Sequence, residues 1–354
     1  MLSALRLSIR PTRPSTSPPV RSPSRKRDAM TSRTRNGLIL AALLVLAGGA
    51  LLIHQVRSER QLEKFQQTFP IMGTLAGFTF YAEPEQSAAA AEAARAAFDR
   101  VTELANLYNP ESELARLNRS AANSPFACSD ELWLMLSEAR QAYEFSGGAF
   151  DITAKPLMDL WGFYRRRGDA LPTAAETAAA RARVGLEKVI FDDEKQTVKF
   201  TVPGMAFDLG GIAKGYAVDA ACDAAVDCGV RRGIVDLGGN LRLMPLPPPG
   251  KLFYRVGIRD PRDRHAVLPE VIELRNAALS TSGDYERFVT IGGKRYGHIM
   301  DPVAGHPTQQ ENSVTVIAPS AMLADWLSTT LFLRPELADR AEREFPGVQV
   351  VIAE

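Results

Sequence analysis

Cysteine is scarce in this chain: Cys128, Cys222 and Cys228 are the only three in 354 residues. Three thiols at these spacings exclude a disulfide framework and a thiolate metal site, so they read as small buried hydrophobes. Histidine is nearly as rare, with four residues in all. There is no G-x-G-x-x-G and no Walker A sequence, so a generic nucleotide-binding fingerprint is missing. No internal repeat of solenoid period is visible, and no long linker interrupts the chain after Thr68. Excess charge is absent too, since 42 Lys and Arg against 41 Asp and Glu leave a net charge of +1. What is there is 45% apolar and 8% aromatic, an ordinary globular composition that excludes wholesale disorder and collagen-like folds.

The near-zero charge hides an asymmetry. Residues 1–36 hold nine basic side chains and one acid, Asp28, which gives +8 there and leaves −7 of the overall +1 for the rest. A mildly acidic body argues against a nucleic-acid partner, because such proteins cluster Lys and Arg against phosphates. After the basic tail comes Gly37 to Ile53, seventeen residues without a charge. At about 1.5 Å rise per residue a helix there spans about 25 Å, the short end of a membrane crossing. The positive-inside bias then places the tail in the cytoplasm and the body across the membrane. No A-x-A site precedes His54, which favours an uncleaved signal anchor. Met30 offers a second start, since MTSRTRNG already supplies a basic flank. The expected organisation is a basic tail (1–36), a transmembrane anchor (37–53), a juxtamembrane linker (54–67) and one body (68–354).

Within the body, Thr68 to Ala82 reads as a strand pair interrupted at Met72-Gly73-Thr74. Gln86 to Leu107 is alanine-rich with an apolar face at helical spacing, and Ser129 suits the N-cap of a helix to about Phe145. Asn109 to Pro125 reads as turns. A hairpin at 189–202, a helix from Ile212 to Cys228, strands near 233–236, 253–258, 271–274 and 313–318, and a helix at 321–332 complete the pattern. Strands and helices mix without βαβ alternation, so the expected fold is α+β, with mainly antiparallel sheets and flanking helices.

Four patterns place glycine beside polar groups. In Gly147 to Thr153 (GGAFDIT), paired glycines follow a helix and Asp151 sits among apolar neighbours; alone this is a helix C-cap. In Asp208 to Tyr216 a strand end meets a helix start through Gly210-Gly211, placing backbone N–H groups, the helix dipole and Lys214 together, a nest that suits a pyrophosphate. The third runs from Ser280 to Tyr285 and on through Gly297 to Pro302. His298 there reads either as a structural histidine or as a base beside a hydroxyl nucleophile. The fourth is Ala324 to Thr329, where Asp325 and Thr329 stand four apart on one helix face and can hold a hard cation or bond each other. Together these are oxygen ligands for a magnesium-like ion, an anion nest with a lysine, and a histidine, an inventory for chemistry on a pyrophosphate.

These residues carry a resemblance. Met72-Gly73-Thr74, Tyr108 with Glu111 to Leu114 and Asn118, GGAFDIT, DLGGIAKGYAVD, the Gly238-Gly239-Asn240 turn, STSGDYERF, GHIMDP and ADWLST stand in the order of the ApbE family, the FAD:protein FMN transferases. The resemblance covers about Thr68 to Glu354. It implies a magnesium-dependent enzyme that splits FAD, attaches FMN through a phosphoester to a threonine of an acceptor flavoprotein, and releases AMP. It also implies acceptors that are flavodomains of membrane redox complexes, and hence work on the periplasmic side of a bacterial inner membrane. By motif, Met72, Tyr108, Ala149, Phe150, Asp151, Asp208, Lys214 and Ile299 resemble the FAD contacts. Asp325, Thr329 and the Gly211 carbonyl resemble the Mg2+ ligands, and His298, Lys214 and Asp325 the catalytic groups. Two departures stand out: no lipid-bearing cysteine follows the anchor, and Val303-Ala304 replace a usual Arg-Thr pair. FAD hydrolysis to FMN and AMP, or flavin binding without catalysis, would use the same site and are the competing readings.

Overall fold

A computed structural model describes residues 40–49, 62–165, 167–263, 266–284, 288–310 and 312–353. Contacts divide the chain into residues 1–57 and residues 58–354. In the first unit, residues 40–49 form a helix. Among the described residues no helix is long and apolar enough to cross a membrane. The basic tail and both flanks of the expected span, 37–39 and 50–53, lie outside the described residues.

The second unit is built on a seven-stranded sheet whose spatial order follows the chain: β1 (Glu63–Ile71), β2 (Thr74–Ala82), β3 (Gly233–Leu237), β4 (Asn240–Leu243), β5 (Ala278–Gly283), β6 (Ser313–Ala318) and β7 (Gln349–Ala353). Every neighbouring pair in it is antiparallel. The expected antiparallel α+β architecture is therefore present. β1 begins inside the stretch 54–67 expected to be linker, whose residues 54–61 lie outside the described residues. β2 alternates in period two, with Ala76, Phe78, Phe80 and Ala82 buried.

Four helices cover the sheet or its end: α1 (Pro84–Ala105), α2 (Asp130–Ser146), α3 (Ala213–Asp227) and α4 (Ala321–Leu333). α1 buries Ala90, Ala94, Ala97, Val101 and Leu104, a 3.6-period stripe of small residues. Its residues Ala90, Ala94, Ala97 and Val101 join Phe78, Phe98, Ala217 and Ala221 in one core cluster, while Leu104 belongs to a second. Trp326 of α4 centres that second cluster with Phe150, Leu136 and Val316. The opposite face is covered by a third cluster of Leu243, Tyr254, Leu274, Leu279 and Ile317, so all six residues of β6 are buried.

α3 and α4 pack closely because of Gly215, where a Cβ would lie 2.3 Å from the Ala321 carbonyl oxygen. They also cap each other. Asp219 of α3 accepts from the N–H groups of Ala321 and Met322, each at 2.9 Å, and Asp325 of α4 accepts from Gly215 N–H at 2.9 Å.

Two expectations need correction, and one helix adds to those expected. The turn-rich stretch contains a helix, Glu113–Ser120, N-capped by Ser112; its apolar face is only Leu114, Ala115 and Leu117, too short for periodicity to show. A helix at Ala174–Arg181 follows a Thr173–Glu176 capping box. Of the cysteines only Cys222 is fully buried, while Cys128 and Cys228 are half-buried.

Candidate active site

Two tight hairpins shape the site. The β1–β2 turn is Met72-Gly73 with φ of 49° and 73°, and the β3–β4 turn is Gly238-Gly239 with φ of 59° and 91°. Positive φ at both positions marks the type I′ hairpin, which glycine tolerates and methionine does not favour, so Met72 is held in a costly conformation. The two turns touch, since a Cβ at Gly238 would lie 2.6 Å from Thr74 Oγ1.

They open onto a cleft of about 1300 Å³, above the usual range for a drug-sized ligand. All twelve residues singled out from the sequence line it: Met72, Tyr108, Ala149, Phe150, Asp151, Asp208, Gly211, Lys214, His298, Ile299, Asp325 and Thr329. Tyr108 stands at the rim, 69% exposed, and meets Tyr164 edge-on at 5.9 Å between ring centroids. α2 ends at Gly147 in the left-handed conformation, as a C-cap requires, and Ser146 Oγ accepts from Phe150 N–H at 2.9 Å. Asp151 Oδ1 accepts from Thr153 N–H (2.8 Å) and Thr153 Oγ1 (2.6 Å). Burial nonetheless pushes its carboxyl up to about 6.

Asp208 is fixed from three sides. Its N–H donates to the Ile152 carbonyl (2.7 Å), Oδ1 accepts from Gly210 N–H (3.0 Å), and Oδ2 accepts from the Tyr164 hydroxyl. Asn118 clamps the preceding residue, donating to the Phe207 carbonyl and accepting from its N–H.

Much of the nest expected at the start of α3 is already occupied. The N–H groups of Gly210, Ile212, Ala213 and Gly215 are already bonded to Asp208, Leu209, Leu209 and Asp325. The helix start is instead satisfied by a carboxylate, and Lys214 Nζ lies 3.2 Å from Asp325 Oδ1. Asn240 completes the group: with its amide turned to satisfy both ends, its oxygen accepts from Lys214 Nζ (2.8 Å) and its nitrogen donates to Asp325 Oδ1 (3.2 Å). Asp325 and Thr329 share one face of α4, but their side chains go to different partners: Thr329 Oγ1 lies 3.3 Å from Ser282 Oγ.

His298 sits half-buried between the strands Lys294–Gly297 and Met300–Asp301. A Cβ at Gly297 would lie 2.1 Å from Asp284 Oδ1, so any side chain before His298 would have to displace the Asp284 carboxylate. The Ile299 carbonyl accepts from Thr308 N–H at 2.9 Å and pins the segment. Residues 285–287 of the Ser280 to Phe288 motif lie outside the described residues.

The charged lining is unbalanced. Among the described residues Asp151, Asp208, Asp236 and Asp325 face Lys214 and Arg259. A pyrophosphate here would need a further cation, and the donor chemistry fits one. A Cβ at Gly211 would lie 3.8 Å from Thr329 Oγ1, so a carbonyl, a hydroxyl and the Asp325 carboxylate come from neighbouring positions. Among the described residues no group of three His, Cys, Asp or Glu forms a cage. A hard ion that keeps waters and substrate phosphates as ligands needs none.

Sequence reasoning missed Asp236, Arg259, Tyr164 and the role of Ser282. For Asp236 a signal existed, because Asp-Leu-Gly-Gly occurs twice, at 208–211 and 236–239. In both copies the carboxylate accepts from a glycine N–H in its own turn at 3.0 Å. Arg259 arrives on a two-stranded ribbon, Tyr254–Arg259 with Val267–Leu274, whose strands carry no motif singled out in the sequence.

Fold and cleft together define an α+β protein with one large cleft built around a cluster of carboxylate, lysine and hydroxyl groups. The chain belongs to the ApbE family, whose profile matches residues 72–352. It is 34% identical over 325 residues to the FAD:protein FMN transferase of Vibrio cholerae serotype O1, covering 90% of this chain and 93% of that protein. With the FAD:protein FMN transferase of Escherichia coli K12 it shares 31% over 266 residues, 74% of this chain and 76% of the other. The structure of flavin transferase ApbE from Vibrio cholerae superposes with a TM-score of 0.72 at 31% identity, covering 83% of this chain and 98% of that one. An ApbE protein from Thermotoga maritima gives 0.74 at 30% identity, with 82% and 94% covered.

Proposed function

We propose that this chain transfers FMN from FAD to a threonine hydroxyl of an acceptor flavoprotein and releases AMP. The observation that carries the reading is the convergence of Lys214, Asp325, Thr329 and His298 on one cleft large enough for a dinucleotide. The acceptor oxygen attacks the phosphorus on the riboflavin side of the pyrophosphate, and a new P–O bond forms as the bond to the AMP phosphate breaks. AMP departs with the bridging oxygen, and the hydroxyl proton passes to His298. Lys214 offsets charge that builds on the phosphates, and the Met72 turn and Phe150 supply apolar surface for the rings.

Gly211, Asp325 and Thr329 would hold Mg2+, which when bound supplies the positive charge that the acidic cleft lacks. The basic tail and the apolar run 37–53 support a single-pass anchor in a bacterial inner membrane, with residues 68–354 on the periplasmic side. There the flavodomains of membrane redox complexes would be within reach.

The test is to incubate the chain with FAD, Mg2+ and a threonine-bearing flavodomain and weigh the acceptor. The expected result is an FMN-sized gain, lost when the acceptor threonine is changed to valine, with one AMP per transfer. AMP release with an unmodified acceptor would replace transfer by hydrolysis, and FAD binding without AMP would reduce the chain to a binder.

A further inference from the structure

We infer that Ser282 is a positioning residue for Thr329: a one-way chain of hydrogen bonds through Ser282 and Ser328 turns the lone pairs of the Thr329 hydroxyl toward the cleft. The inference rests on the metal reading above and assigns this chain's own residues a part in it. Four oxygens are in sequence. Thr329 Oγ1 lies 3.3 Å from Ser282 Oγ, Ser282 Oγ lies 2.9 Å from Ser328 Oγ, and Ser328 Oγ donates to the Asp325 carbonyl oxygen at 2.9 Å. Each hydroxyl has one hydrogen and two lone pairs, whereas a carbonyl only accepts. The carbonyl therefore fixes the direction of the whole chain.

Ser328 gives its single hydrogen to the Asp325 carbonyl, so it must accept from Ser282. Having given its hydrogen to Ser328, Ser282 can only accept from Thr329. The Thr329 hydrogen thus points into the protein, and what its oxygen presents to the cleft is electron density. Running the chain backwards would sacrifice the 2.9 Å bond to the carbonyl. Ser280 reinforces the direction: its oxygen lies 3.2 Å from Ser328 Oγ as a second acceptor for the same hydrogen, so whichever oxygen takes it, Ser328 still has to accept from Ser282. Burial keeps solvent from reorienting the set, since Ser328 is 0% exposed, Ser280 2% and Ser282 9%. A hydroxyl that must ligate a cation with its oxygen is thereby set in advance, and Ser282 does this without reaching the ion itself.

The test reads metal binding rather than turnover. Mn2+ alone is titrated into the full chain and free Mn2+ is followed by electron paramagnetic resonance. Ser282→Ala is expected to weaken Mn2+ binding about ten-fold or more, as loss of a supporting partner does at metal sites. Ser328→Ala, which suits a helix interior, is expected to weaken it in the same direction and guards against a misfolded first variant. In a Thr329→Val background, Ser282→Ala should have no further effect, because the hydroxyl it orients is gone. The same fold-loss in both backgrounds, or unchanged binding in Ser282→Ala while Asp325→Asn binds poorly, would overturn the inference and leave the metal reading standing. Wild-type Mn2+ binding by Asp325→Asn would overturn both.

Discussion

The Asp325 carboxylate and the Gly215 N–H lie 2.9 Å apart, and this contact ties the first turn of α3 to the cleft-facing side of α4. It is possible because residue 215 has no side chain: a Cβ there would lie 2.7 Å from Asp325 Cβ and 2.3 Å from the Ala321 carbonyl oxygen. Gly215→Ala, favourable for an isolated helix, should therefore destabilise this one. A loss of about 1–3 kcal/mol is expected from forced separation of the two helices, read as a lowered urea midpoint with unchanged slope. An unchanged midpoint would mean that the helix contact has slack.

Asp325 also serves the site, and two substitutions separate its duties. Asp325→Asn keeps an oxygen for the Gly215 N–H but gives up the charge beside Lys214, whereas Asp325→Ala gives up both. Lys214 is 31% exposed, so water replaces part of what it loses and the asparagine variant should remain folded. AMP release from FAD, followed against Mg2+ concentration, should be abolished in both, with only the alanine variant clearly less stable to heat. Magnesium-dependent turnover by Asp325→Asn at the wild-type level would remove the carboxylate from the metal site.

Much of this arrangement is legible in the sequence, for local physical reasons. Asp325 and Thr329 must share a helix face at four residues' spacing, Ser129 must cap the helix that begins beside it, and Met72-Gly73 must turn between two alternating strands. What escapes is what depends on the partner. Nothing in Gly210 to Gly215 says that its N–H groups are used by Asp208 and Asp325 rather than left for an anion, since one partner lies far away in the chain. Tyr164 and Arg259 escape because only the tertiary fold brings their segments to the cleft. The Glu113–Ser120 helix escapes because eight residues give too few periods to count.

Asp151 gives the cleft a pH signature. Burial raises its carboxyl from the ordinary range to about 6, outweighing the two bonds from Thr153. A raised carboxyl means that the folded chain holds the proton more tightly than the unfolded chain does. Its stabilising share is full below about pH 4 and is lost as pH rises through about 6. Asp151→Asn removes that loss, so the variant's Tm should gain on the wild type between about pH 4 and pH 7, by the equivalent of about 2–3 kcal/mol. Parallel Tm curves across that window would mean that Asp151 titrates as an ordinary carboxylate.

His298 is the group whose removal should separate binding from chemistry. It lines the cleft at the end of a hairpin, behind a glycine where a side chain would displace Asp284, and none of the Lys214–Asp325–Asn240 bonds runs through it. His298→Ala therefore leaves those bonds of the charge cluster in place and removes a proton acceptor for the incoming hydroxyl. Transfer to the acceptor should slow by about 10²–10⁴, the usual contribution of a positioned base, while FAD affinity measured by flavin fluorescence stays within a few-fold. Because the base acts on the acceptor and not on FAD, raising the pH should restore part of the rate in the variant, as a less acidic medium takes over the proton. Lost FAD affinity with a normal rate at saturating FAD would instead make His298 a residue that holds the flavin nucleotide in place.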